Sequence, residues 1–512
     1  MQFIKRTFPL LFGIFLLSVL VRVPLLDRPL SKHHEFCTAL SLRIMQIWYD
    51  NGIEKYGFNP VMTYNNEADK FINNHANASG KMVDQAGNYY YVSHPPFAYY
   101  FPFAIFKILH VRPDVLPLQI VNLSFHFLSG LFVYFIVCLL SFTRARSYPY
   151  RSAIVAFVMY IFMPVTMWFQ SNVYMSDMAV HLLFIIGVYT VLKMIIRQRF
   201  TSLKYIFFYV TCLGLMIYTS WLGVFFAFGV LVYSLLHVRS NRGFRVLVWS
   251  TVIVTFIVLQ LIVYQYSQIN GSMAYLTEMI NRYAIRGSVE PTDQGLFHFL
   301  ISYLKLFKSL VVNYSLHYFI VYGLVLFFIW LAISRRKLKI IFSENGYRFI
   351  WLSVLPILLL HIVFLNYSEH DFTALYASLF VSVLLGVLYD KIKKSGTIPL
   401  IRMQLGLTGV VFLMVGQFYL INPPSFFKKA GADTHYKVWG EQIKKESKPD
   451  EVVFANIEDP EPQLVWYAGR NIRPAATREE ALGFLQERNL KKGIWFRQQN
   501  GAMVAEKIAV QE

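Results

Sequence analysis

The sequence predicts an α-helical polytopic membrane protein: about eleven transmembrane helices, N-terminus inside and C-terminus outside, then a small α/β soluble domain. Three observations predict it. Of 512 residues, 56% are hydrophobic and only 15% charged, against roughly 25% charged in soluble domains, and the mean hydropathy is +0.45. Apolar runs of about 20 residues, enough to cross a bilayer, recur along the chain. The formal charge of +19 is spread in small Lys/Arg clusters between those runs. Inside loops carry such clusters, whereas a nucleic-acid-binding face would gather them into one stripe.

The first run, Phe8 to Leu26, follows Lys5 and Arg6. No small-residue cleavage site comes after it, so it reads as a retained first span with its N-terminus inside. Polar residues 27–117 form a long outside loop. Within it, the stretch from His33 has Phe36, Leu40, Ile44 and Ile47 on one helical line, which predicts a helix lying on the membrane surface with its apolar side down. "PPFAYYFPFAIFKIL" opens with two prolines and is rich in aromatics, which predicts a second interfacial helix.

Span two, from about Leu118 to Phe142, ends at Arg144, Arg146 and Arg151, and span three runs to about Phe169. Span four starts near Asp177 and ends at Arg197 and Arg199. A hairpin from Tyr205 to His237 precedes Arg239, Arg242 and Arg245, and span seven is Val246 to Tyr264. A second outside loop covers 265–313. Span eight ends at Arg335, Arg336, Lys337 and Lys339; spans nine and ten flank "NYSEHDF", Asn366 to Phe372; span eleven follows Lys391, Lys393 and Lys394. Residues 1–421 thus form the membrane domain. Residues 422–512 alternate helix and strand patterns, with Thr477 and Glu480 at capping-box spacing, and read as an extracytoplasmic α/β domain.

Cys37, Cys138 and Cys212 have neither metal nor disulfide spacing and read as small buried hydrophobes. The sequons at Asn77, Asn270, Asn313 and Asn366 carry no meaning without a known compartment.

In this topology the ionisable groups of the outer boundary gather from distant segments: Arg22, His33, His34, Glu35, His94, Asp177, Glu369, His370 and Asp371. Charges at membrane depth cost free energy, so their collection on one face points to a site there. Transporters place such groups near the midplane. A transporter or flippase of an anionic or lipid-linked substrate is the competing reading, with a polysaccharide ligase or polymerase and a scaffold behind it.

The motif order resembles the GT-C-fold glycosyltransferases of the protein O-mannosyltransferase and aminoarabinose-transferase superfamily. Many members follow span one with D-E-x-x-Y-A-x-x-x-R-x-M; here stand His34, Glu35, Ala39, Arg43 and Met45, with His34 for the usual Asp and Thr38 for the usual Tyr. A [KH]-P-P-L-x-Y segment is matched by His94, Pro95, Pro96, Phe97 and Tyr99, and an S-D pair opening span four by Ser176 and Asp177. The resemblance implies a polyprenyl-phosphate-linked sugar donor and a glycan, lipid or protein acceptor. The site then faces the outside of a cell membrane, expected to be a bacterial cytoplasmic membrane with the periplasm outside.

A phosphate leaving group departs without a proton, so a single carboxylate serves as general base for an inverting displacement. Glu35 is the expected base, with His34 beside it. Arg43, His94, His370, Asp371 and Arg22 are the candidates for the donor phosphate and sugar. Asp177, Arg282 and Arg286 are the candidates for orienting groups or the acceptor. No cofactor is assigned. A divalent cation is the alternative use of His33, His34, Glu35 and His94, although adjacent helical residues diverge by about 100° and would converge poorly.

Overall fold

Proline in the first turn of α1 (Phe8–Arg22) sets its start, because a helix's first N–H groups have no acceptor within the helix anyway. From there a computed structural model describes residues 7–74, 80–141, 150–239, 241–287, 296–334, 344–395, 399–423, 434–499 and 502–510. The clusters at Arg144 and Arg146 and at Arg335 to Lys339, and the sequon at Asn77, lie outside the described residues.

After α1, helix α2 (Glu35–Asn51) ends at Gly52, whose φ of +85° suits a residue without Cβ. A two-stranded hairpin, β1 (Lys81–Val83) and β2 (Tyr89–Tyr91), leads into α3 (Phe97–Leu109). The chain continues with α4 (Val115–Leu140), α5 (Tyr150–Phe162), α6 (Pro164–Phe169), α7 (Ser176–Ile196), α8 (Leu203–Ile217), α9 (Leu222–His237) and α10 (Phe244–Asn270). Then come α11 (Ser272–Arg286), α12 (Leu296–Ser334), α13 (Glu344–Val363), α14 (Ala377–Ser395) and α15 (Leu400–Ile421).

Among the described residues, eight helical stretches are long and apolar enough to cross a membrane. They lie in α1, α4, α7, α10, α12, α13, α14 and α15. The other three predicted spans coincide with the shorter apolar helices α5, α8 and α9, whose described residues do not reach the length of a bilayer core alone. Tight packing accompanies the short helices. A Cβ added at Gly386 of α14 would sit 2.8 Å from the Ser152 carbonyl oxygen of α5, so glycine lets these two helices approach closely.

The C-terminal part holds α16 (His435–Glu446), β3 (Val452–Ala455), α17 (Pro462–Ala468), β4 (Ile472–Pro474), α18 (Arg478–Glu487), β5 (Lys492–Gln499) and β6 (Ala502–Ala509). The sheet order is β4-β3-β5-β6, with β3 parallel to β4 and β5, and β6 antiparallel to β5. The Thr477 hydroxyl accepts from the Glu480 N–H and caps α18.

This unit is not a free appendage. Ala68 and Ile72 of the first loop join its core. Arg470 and Asp69 form a buried ion pair, with Nε 3.0 Å from Oδ2, and the Asn471 N–H donates to Asp69 Oδ1 at 2.7 Å. Helix α17 packs on α2.

Helix α2 therefore does not lie on a lipid surface as its periodicity suggested. Its residues from Thr38 to Met45 are buried on all sides, because α3 and α4 pack against it and α17 covers it as well. The residues off its apolar line meet protein instead of water: the Thr38 hydroxyl donates to the Asn172 carbonyl at 3.0 Å.

Candidate active site

The turn before α2 and the loop before α14 meet at Asp371. His34 takes φ +60°, the left-handed region, and this breaks the helical geometry that would splay adjacent side chains. His33 and His34 both direct Nε2 to Asp371 Oδ1 at 2.8 Å, and His317 of α12 directs Nε2 to Oδ2 at 2.9 Å. Asp371, His34 and His317 are buried, while the His33 side chain is 60% exposed. Nδ1 of His34 is buried without a hydrogen-bond partner. Burial pushes the His34 imidazole below its ordinary value, against the opposing hydrogen bond that it makes to Asp371 and with a smaller push from His33, so His34 is neutral at neutral pH.

Beside this cluster lies a cavity of about 190 Å³ lined by Ser93, His94, Trp221, Arg282, Arg286 and Tyr367, among others. The loop carrying Ser93 and His94 is fixed by its backbone: the Trp221 indole donates to the Ser93 carbonyl at 3.0 Å, and the Tyr266 hydroxyl to that of His94 at 2.6 Å. Helix α11 supplies both arginines one turn apart, and its Glu278 carboxylate accepts from the Gly80 N–H, tying α11 to the first loop. The Arg286 guanidinium lies 4.7 Å from the Tyr367 ring centroid. It forms no ion pair among the described residues, and its Nη1 is buried without a partner. Burial, then Arg286 and Arg282, hold the His94 imidazole well below its ordinary value. Burial and Arg286 likewise bring His370 down to about 4. Rings join the two parts of the site: Tyr367 contacts Phe372 at 6.0 Å between centroids, and Phe372 contacts His34 at 5.3 Å.

Among the expected site residues, His34, His370 and Asp371 thus come together, next to His94, Arg282 and Arg286. Asp177 sits in the first turn of α7, where its carboxylate accepts from the Tyr376 hydroxyl and from Ser176 Oγ at 3.3 Å.

Three residues are placed otherwise. Glu35 is fully buried and turned away from the cavity; its carboxylate binds the Arg28 guanidinium and the N–H groups of Ser31 and Lys32. Burial pushes its carboxyl upward against these donors. A carboxylate so engaged holds the loop between α1 and α2, unlike the substrate-facing base expected from sequence. Arg43 is 1% exposed, donates to Asn471 at 3.0 Å and stacks on Tyr64, so it joins α2 to the C-terminal part and does not face the cavity. Arg22 is spent within the bundle on Ser18 and on His126 Nδ1 at 2.9 Å.

Among the described residues one group suits a metal ion: His33, His34 and Asp371 bring a donor atom each within 4.8 Å of one another. Glu35 and His94, grouped with them on sequence grounds, are not part of it. Sequence reasoning missed His317, Tyr367, Tyr376 and Trp221. His317 left a readable signal, an ionisable residue inside an apolar span. The tyrosines and tryptophan left none, since aromatics are abundant at every membrane boundary.

No protein-family model and no curated relative matches the chain. Solved structures do. ArnT from Cupriavidus metallidurans bound to undecaprenyl phosphate matches with a TM-score of 0.59 and 12% identity, over 97% of this chain and 97% of that one. The apo state of ArnT gives 0.57 and 14%, over 96% and 92%. The archaeal oligosaccharyltransferase AglB from Archaeoglobus fulgidus, in complex with an inhibitory peptide and a dolichol-phosphate, gives 0.55 and 11%, over 97% of this chain and 70% of that one. The chain has the GT-C fold of these membrane enzymes.

Proposed function

We propose that this protein transfers a sugar, with inversion, from a polyprenyl-phosphate donor to a glycan, lipid or protein acceptor at the outer face of a cell membrane. The observation that carries this reading is the cavity in which Arg286, in no ion pair among the described residues and with Nη1 unpartnered, and Arg282 stand beside the His34–Asp371 pair. A lipid phosphate in the cavity accepts charge-assisted hydrogen bonds from these guanidinium groups. The solved neighbours bound to undecaprenyl phosphate and dolichol-phosphate support the donor class.

In the proposed step the acceptor oxygen attacks the anomeric carbon. The bond from that carbon to the phosphate oxygen breaks, and polyprenyl phosphate leaves with the electron pair, its charge held by Arg282 and Arg286. His34 replaces Glu35 as the base. Asp371 accepts from its Nε2–H, which leaves the Nδ1 lone pair to take the acceptor proton. Asp177 orients the loop before α14 through Tyr376. A second reading rests on the convergence of His33, His34 and Asp371: with a divalent cation on these three donors, the cation supplies Lewis acidity toward the acceptor or the phosphate.

The test is lipid mass spectrometry of cells lacking the protein, complemented with wild type, His34→Gln or Glu35→Gln. The proposal expects a polyprenyl-phosphate sugar to accumulate in the null and His34→Gln cells. An unchanged lipid profile in the null, with redundant transferases removed, moves the transporter reading ahead. Loss of activity on chelation, restored by zinc or manganese, selects the cation reading.

A further inference from the structure

A second cavity, of about 390 Å³, lies between α5, α14 and α15. It is remote from the site. Its Tyr389 is 18 residues beyond Asp371 along α14 and the turn before it, about 27 Å at helical rise, which is close to the thickness of a bilayer core. The cavity therefore opens at the opposite membrane boundary.

Its walls divide by depth. Val158 and Val411 line the end toward the bilayer middle, and Arg151, Tyr389 and Gln404 the end at the boundary, with Thr408 one turn from Gln404 toward the bilayer middle. None of these four polar side chains has a hydrogen bond or ion pair among the described residues. Tyr389 is nevertheless 2% exposed, and it lines the cavity. Arg151 is the one charged residue of the described lining, and Asp390, next to Tyr389 in sequence, is matched by Lys394.

We propose that this groove binds an anionic glycerophospholipid of the phosphatidylglycerol type. Arg151 takes the phosphodiester, Tyr389, Gln404 and Thr408 donate to its oxygens or to the head-group hydroxyls, and an acyl chain runs along Val158 and Val411. One guanidinium with three neutral donors matches a phosphodiester of single charge. A phosphomonoester, which carries up to two charges, would be left undercompensated.

Native mass spectrometry of the full chain in mild detergent tests this. Dioleoyl phosphatidylglycerol, dioleoyl phosphatidylcholine and a polyprenyl phosphate are titrated separately against wild type, Arg151→Gln, Thr408→Trp and Arg286→Gln. The expected result is preferential retention of phosphatidylglycerol over phosphatidylcholine. Arg151→Gln weakens it about tenfold, as loss of a charge-assisted bond should. Thr408→Trp, an exposed position that folding tolerates, fills the groove and abolishes it, and Arg286→Gln leaves it unchanged. Equal retention of the two phospholipids, or phosphatidylglycerol binding indifferent to both groove variants, overturns the proposal. So does a polyprenyl phosphate adduct that is retained more tightly than phosphatidylglycerol and is lost in Arg151→Gln. Because Arg286→Gln perturbs the other cavity alone, failure here is distinguishable from failure of the transferase reading.

Discussion

Replacing Arg286 by glutamine removes a guanidinium of the first cavity whose Nη1 is buried without a partner and which forms no ion pair among the described residues. If a lipid phosphate binds there, the variant trades a charge-assisted bond for at most a neutral one. A charged hydrogen bond contributes about 1.5–3 kcal/mol, so the dissociation constant for polyprenyl phosphate should rise about 10- to 150-fold. The protein itself should suffer little, because Arg286 forms no ion pair among the described residues and its side chain lies against the face of the Tyr367 ring. The assay is displacement of a fluorescent polyprenyl phosphate from purified protein in nanodiscs, with the melting temperature measured on the same sample. Arg282→Gln should act in the same direction. Lys107→Gln, whose ammonium sits over the Tyr49 ring away from the cavity, should change nothing. Affinity unchanged in Arg286→Gln at an unchanged melting temperature would refute the assignment of the cavity to the phosphate.

Three other outcomes are expected. His34→Gln should lower kcat about 10²- to 10⁴-fold, the range for loss of a general base, with little change in donor affinity; steady-state transfer with the donor identified by lipid analysis measures both. Asp69→Asn strands the buried Arg470 and should destabilise the docked C-terminal part by about 3–5 kcal/mol, read as a loss of protection in hydrogen exchange over β3 and β4. His94 is held well below its ordinary value, so it stays neutral from pH 6.5 to 8.5 and contributes no pH dependence to lipid-phosphate affinity there, which binding curves across that range check. The same depression makes folding weaken as pH falls below about 6.5, where the unfolded chain takes a proton that buried His94 refuses, and thermal melts at pH 5 and pH 7 should show it.

The membrane class was legible because hydropathy and helix length are local properties: about 20 apolar residues must form a helix to satisfy their backbone in lipid, whatever they later touch. Runs at α4, α7 and α10 declared themselves in this way. The meeting of His34, His370 and Asp371 beside His94 was partly legible too, because ionisable residues at a membrane boundary stand out against an apolar background. The length of α5, α8 and α9 was not, since a helix shorter than the bilayer is stabilised by neighbours such as α14 that no local pattern announces.

Orientation of side chains was beyond the sequence altogether. "HHEF" contains two imidazoles and a carboxylate in adjacent positions, and nothing local says which of them faces substrate. One left-handed residue at His34 and the arrival of Asp371 from 337 positions away turn the histidines together, while Arg28 captures Glu35. Likewise the periodicity of α2 marked an apolar line but not what would cover the rest, and α17 does so from the far end of the chain. The sequence by itself determined a polytopic helical membrane protein and the short list of ionisable residues at its boundary. Tertiary structure alone decided which of those charges pair with each other and which remain uncompensated. Pairing depends on contacts between distant segments, and an uncompensated buried charge is what marks a place for a ligand.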